Sequence, residues 1–116
     1  MKSVVVIEDD PAIAETIRMI LEELYVVTVF PETTALPAGS SPSLVITDLL
    51  SPNGYDSAAA VQRVRQTRVR TGAPVLVLTA HGAAEADCEL AGTANGVLTK
   101  PFQMDELLAL VDRLAV

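Results

Sequence analysis

An α/β fold built on a parallel five-stranded sheet is what this 116-residue sequence predicts, from three observations. Apolar runs and amphipathic stretches alternate along the whole chain, as strands and crossover helices do in a doubly wound sheet. Val4-Val5-Val6-Ile7 and Leu44-Val45-Ile46-Thr47 are short and almost unbroken in apolar character, which suits strands buried on both faces. Both runs then stop on acid, at Glu8-Asp9-Asp10 and at Asp48. Parallel strands deliver such terminal groups to one edge of a sheet, where open α/β folds bind their ligands.

Each element follows from local chemistry. Asp10 as N-cap and Pro11 at the first helical position open a helix, with Ile13, Ile17, Ile20, Leu21 and Leu24 on one face. Val26 to Phe30 is the second strand. A stunted second helix is expected from Glu32 to Ala38, because Pro37 breaks it and Gly39-Ser40-Ser41-Pro42 is loop-like. After the Asp48 strand, Asp56 or Ser57 caps a helix to about Arg70, with Ala60, Val61 and Val64 inward and Gly72 as its stop. Val75 to Leu78 is a strand that ends at Thr79-Ala80-His81-Gly82, and Ala83 to Ala91 is predicted as a short Ala-rich helix closed by Gly92. Asn95-Gly96 turns into Val97-Leu98-Thr99, which ends at Lys100-Pro101. Met104 to Leu114 then carries Leu107, Leu108, Val111 and Leu114 along a last amphipathic helix. The predicted strand order is the flavodoxin-like 2-1-3-4-5, in one domain over residues 1–116.

Composition narrows the function classes. A formal charge of -7 offers no basic surface for nucleic acid or an anionic membrane. The single Cys88 forms no internal disulfide, and its expected place is a small core position. Met1-Lys2 precedes too short an apolar run for a signal peptide or a membrane span. A soluble, cytoplasmic protein is the expectation.

The strand-end groups define a chemistry. Glu8, Asp9 and Asp48 would crowd three carboxylates together, with Thr79 and Lys100 on the same edge. Two unit charges about 4 Å apart repel by about 4 kcal/mol at an effective dielectric of about 20, so a positive partner is required. A hard divalent cation, Mg2+ before others, meets that need with oxygen ligands and keeps positions open for phosphoryl oxygens. Asp48 is placed to act as a carboxylate nucleophile on phosphorus, with Thr79 and Lys100 available to two further phosphoryl oxygens. Taken singly, each residue has a plainer role: Asp10 is assigned to capping, Glu8-Asp9 suits a helix N-terminus, Thr79 suits a turn, and Lys100 suits plain charge balance. Those roles give no reason for the groups to share an edge.

Val6-Ile7-Glu8-Asp9-Asp10-Pro11, Leu44 to Asp48 with Pro52 beyond it, Val77-Leu78-Thr79-Ala80 and Leu98-Thr99-Lys100-Pro101-Phe102 resemble the receiver domain of two-component response regulators. The resemblance runs through the whole chain in order. It implies that Asp48 is phosphorylated, that Glu8, Asp9, Asp48 and the Leu50 backbone carbonyl hold Mg2+, and that Thr79 and Lys100 sense the phosphoryl group. It implies a cis Lys100-Pro101 bond. It also implies a histidine kinase or histidine-phosphotransfer protein as phosphodonor, a downstream protein target or a separate effector domain as reader, and no enzymatic activity beyond the domain's own phosphorylation and dephosphorylation. Val97 departs from the pattern, standing where many receivers carry a switching aromatic residue; a pseudo-receiver that binds partners without phosphate is the alternative this motivates. Arg63, Arg65, Arg68 and Arg70 are expected on a solvated helix face, with a partner surface second.

Overall fold

The computed structural model describes residues 1–32, 35–37, 39–48 and 54–116. Its elements are β1 (Ser3–Ile7), α1 (Pro11–Leu21), β2 (Val26–Phe30), β3 (Leu44–Asp48), α2 (Ser57–Thr71), β4 (Val75–Thr79), α3 (Cys88–Thr93), β5 (Gly96–Thr99) and α4 (Met104–Leu114). The strands form one parallel five-stranded sheet in the order β2-β1-β3-β4-β5, the flavodoxin-like arrangement.

Because side chains alternate along a strand, the sheet separates two cores. Val4 and Val6, Leu44 and Ile46, and Leu76 and Leu78 face one side, where Ile17 and Leu21 of α1 and Leu107 and Val111 of α4 cover them. Val5 and Ile7, Val45, and Val75 and Val77 face the other, under Ala60, Val61 and Val64 of α2 and Leu90 of α3. All the β3 apolar residues are essentially buried, as expected of a central strand covered on both faces. α4 lies close over β5: a Cβ on Gly96 would stand 3.1 Å from Leu114 Cδ1 and 3.2 Å from Leu76 Cδ1.

The helix ends follow the predicted capping. The Asp10 carboxylate accepts from the Ala12 and Ile13 N–H groups at the start of α1, and Asp56 accepts from Ala59 N–H at the start of α2. Gly72 closes α2 with φ +66°, in the left-handed region that glycine enters without a Cβ clash. No helix among the described residues is long and apolar enough to cross a membrane.

Four expectations change. The shortened second helix is reduced, among the described residues, to a turn in which Ala35 N–H donates to Glu32 O at 3.1 Å and Leu36 is buried; residues 33, 34 and 38 lie outside the described set. Leu24 is 60% exposed, because α1 stops at Leu21 before reaching it. Ala83 to Ala91 is not one helix but a single 3-10 turn at Gly82–Ala84 followed by α3, and Gly92 lies inside α3 rather than closing it. Asp87 causes the break, since its carboxylate caps Glu89 and Leu90 N–H and restarts the helix there. That restart also puts Cys88 at the first, exposed position of α3 rather than in the core.

Candidate functional site

The strand register assembles the predicted edge. Ile7 pairs with Thr47, so Glu8 follows level with Asp48; Asp48 pairs with Leu78, and Thr79 pairs with Thr99, so Lys100 lies one step past Thr79. Two backbone bonds continue the ladder into the site, Glu8 N–H to Phe30 O at 3.0 Å and Lys100 N–H to Thr79 O at 2.7 Å. By alternation Glu8, Asp48 and Lys100 fall on the α1 and α4 side of the sheet, and Thr47, Thr79 and Thr99 on the α2 and α3 side. The Lys100-Pro101 peptide is cis, as the resemblance implied.

Glu8, Asp9 and Asp48 each offer a carboxylate oxygen to one locus, these atoms lying within 4.8 Å of one another. Lys100 Nζ stands 3.6 Å from Glu8 Oε2 and 3.5 Å from Asp48 Oδ2. Glu8 is 4% exposed. One of its oxygens accepts from Asp10 N–H at 3.1 Å, while the buried Oε2 has no hydrogen-bond partner. Burial pushes the Glu8 carboxyl up to about 7, helped by the negative charge of Asp48 and opposed by the Asp10 N–H and by Lys100. A buried oxygen without a hydrogen bond, in a cluster of three carboxylates, suits a hard divalent cation, and the residues fit Mg2+. The predicted Leu50 carbonyl ligand lies outside the described residues.

Thr79 is fully buried at the end of β4, and its hydroxyl accepts from His81 N–H at 3.0 Å. It makes no hydrogen bond to the acids. The predicted set therefore divides, with Glu8, Asp9 and Asp48 clustered, Lys100 beside Glu8 and Asp48, and Thr79 across the sheet plane from Lys100.

Arg63 was missed as part of this neighbourhood; it alone leaves the expected solvated face, on which Arg65, Arg68 and Arg70 are exposed. Arg63 is half-buried and its Nε donates to Thr47 Oγ1 at 3.1 Å, while the Thr47 hydroxyl donates to the Asp48 carbonyl at 3.2 Å. Burial lowers the Arg63 pKa, and the charges of Asp48, Asp9, Glu8 and Glu32 work against that; the guanidinium remains a cation. Arg68 donates to Thr93 O at 2.8 Å and Arg70 to Leu36 O at 2.6 Å, so both bind neighbouring segments instead of water alone. Spacing carried the missing signal, because Arg63 falls three residues after Ala60 and four before Thr67, on the buried stripe of α2. Beside the site, Tyr55 Oη donates to Asp87 Oδ2 at 2.6 Å, and its ring lies 6.3 Å from that of His81.

A parallel sheet in this order, with an acid cluster and a lysine at its carboxyl edge, defines the class of open α/β domains that place their ligand site at the ends of the central strands. The comparison with known proteins is narrower: residues 4–112 match the family model described as "Response regulator receiver domain", and the chain belongs to that family. It is 39% identical over 111 residues to the transcriptional regulatory protein TcrA of Mycobacterium tuberculosis, covering 91% of this chain and 43% of that protein. It is 32% identical over 116 residues to the DNA-binding dual master transcriptional regulator RpaA of Synechocystis, covering 96% and 48%. The chain thus spans just under half the length of either relative. Among solved structures, the response regulator TrrA of Thermotoga maritima, in complex with Mg(2+)-BeF, superposes with a TM-score of 0.78 at 27% identity, over 98% of this chain and 99% of that one.

Proposed function

We propose that this receiver domain is a phosphoacceptor, with Asp48 taking a phosphoryl group from a histidine kinase or a histidine-phosphotransfer protein. An Asp48 carboxylate oxygen attacks phosphorus in line, the P–O bond forms as the donor's P–N bond breaks, and the freed imidazole takes up a proton. Glu8, Asp9 and Asp48, with the Leu50 carbonyl, would hold Mg2+, which when bound neutralises charge on the phosphoryl oxygens. Lys100 pairs with one phosphoryl oxygen from one side of the sheet plane. Thr79, whose hydroxyl proton has no acceptor among the described residues, donates to another from the other side.

The observation that carries this reading is the buried Glu8 carboxylate beside Asp48, whose Oε2 has no hydrogen bond and meets only the Lys100 ammonium, 3.6 Å away. In this reading the domain works in the cytoplasm, catalyses only its own phosphorylation and dephosphorylation, and signals by altered contacts with a downstream protein or an effector domain. Incubation with Mg2+ and a small acyl phosphate is expected to add one phosphoryl mass, and Asp48→Asn to abolish it. No adduct from a donor that phosphorylates a control receiver would refute the reading. Val97, half-buried against the α2 and α3 core, has no ring to swing; absence of both adduct and Mg2+ binding would instead favour a partner-binding module without phosphate.

A further inference from the structure

We infer that Arg63 is a positioning residue of the phosphoacceptor site, a fixed counter-charge tethered through Thr47 to the Asp48 backbone that sets how tightly a divalent cation is held. This rests on the reading of Asp48 as a Mg2+-dependent phosphoacceptor. The tether is explicit: the Thr47 hydroxyl accepts from Arg63 Nε at 3.1 Å and donates to the Asp48 carbonyl at 3.2 Å, so both its hydrogen-bonding roles are used. Thr47 is fully buried, which holds the relay away from competing water. Lys100 reaches Asp48 and Glu8 from the α1 and α4 side, and Arg63 comes from the α2 side, so the acids are flanked by cations on both faces of the sheet.

Charge balance gives the arrangement a function. With Glu8, Asp9 and Asp48 ionised, Lys100 and Arg63 leave one negative charge in excess. That attracts a divalent cation and leaves the loaded site positive, ready for a phosphoryl anion. Without Arg63 the excess is doubled: the cation is held more tightly, but the loaded site is neutral and attracts the phosphoryl group less. A merely structural arginine predicts the opposite for the cation, since a loosened site binds it more weakly.

The test titrates Mg2+ by calorimetry and follows phosphoryl uptake from a small acyl phosphate by intact mass, in the wild type, Arg63→Gln, Arg63→Lys and Thr47→Val. Arg63→Gln is expected to bind Mg2+ about fivefold more tightly and, at saturating Mg2+, to be phosphorylated about fivefold more slowly, the scale of one charge acting at a solvated site. Arg63→Lys keeps the charge and is expected to stay within about twofold of wild type in Mg2+ affinity. Unchanged or weaker Mg2+ binding by Arg63→Gln, or a lysine variant that behaves like the glutamine one, overturns the inference. Should Arg63→Gln not fold, Thr47→Val decides: releasing the guanidinium is expected to tighten Mg2+ binding about twofold, and no change or a weakening overturns the proposal. A wild type that neither binds Mg2+ nor takes up phosphate defeats the phosphoacceptor reading itself, an outcome distinct from all of these.

Discussion

Replacing Glu8 by Gln should make the metal-free protein more stable while removing its response to Mg2+. The magnitude comes from the environment of the carboxyl group. Burial, with Asp48 nearby, raises its pKa from an ordinary 4.5 to about 7. The difference corresponds to about 3 kcal/mol by which the fold disfavours ionised Glu8 relative to the neutral acid. Because the folded value lies above the unfolded one, the group's contribution to stability is fully present below pH 4.5 and is lost as pH rises through about 7. Gln cannot ionise, so the advantage of Glu8→Gln over wild type should be near zero below pH 4.5 and grow to its full size above about 7, a rise in Tm of about 10 °C for a domain of this length. The assay is thermal or urea unfolding in chelator across that pH range, repeated with Mg2+. Added Mg2+ should then close the gap from the wild-type side alone, by about 2.7 kcal/mol at a hundred times its Kd. A stability difference that does not vary with pH, or a Glu8→Gln protein that gains as much from Mg2+ as wild type, would refute the reasoning.

Other outcomes follow from single contacts. Tyr55→Phe removes the bond to Asp87, and the unfolding equilibrium should shift toward the unfolded state by about fivefold with an unchanged denaturant slope; a shift within error would mean the hydroxyl is equally well served by water. Burial and the Asp87 bond push the Tyr55 phenol up to about 12, so this residue's contribution to stability should hold below pH 10 and fall as pH climbs through about 12, which the ultraviolet absorbance of phenolate can follow. Gly72→Ala meets no atom within 4 Å, so its cost is confined to a left-handed backbone at φ +66°, about 1 kcal/mol by chemical denaturation, and a neutral result would place α2's end elsewhere.

Much of this architecture was legible because the sheet's central strands leave little freedom in composition. Val4 to Ile7 and Leu44 to Thr47 are buried on both sides, so they admit almost nothing but apolar residues, and the first charged group marks the end of the strand. The site was legible for the same reason, since Glu8, Asp48 and Lys100 are the residues at which those runs and the last strand stop. Asp10-Pro11 and the stripe of α4 were equally local signals, fulfilled by local bonds. What escaped depended on contacts between distant segments. Alanine propensity favoured one helix from Ala83, but the Asp87 cap, and Glu85 accepting from Thr99 N–H at 3.1 Å, favour a turn and a restart. Arg63 escaped because four arginines on one helix suggest a wetted surface; Thr47, sixteen positions earlier, has no mark in the sequence as its acceptor.

The way α4 is held at its two extremities has a mechanical consequence. At one end it follows Lys100, which stands between Glu8 and Asp48; at the other the Ala115 carbonyl receives the Lys2 ammonium at 3.2 Å and Val116 N–H binds Ser43 O at 3.1 Å. An 11-residue helix is a rod about 16 Å long. Lys2, Ala115 and Val116 are therefore gathered at the edge of the sheet where β1 and β3 begin, opposite the edge that carries the acids, with β1 and α4 both spanning the distance, and a tag or fusion attached at either end leaves the mouth of the pocket clear.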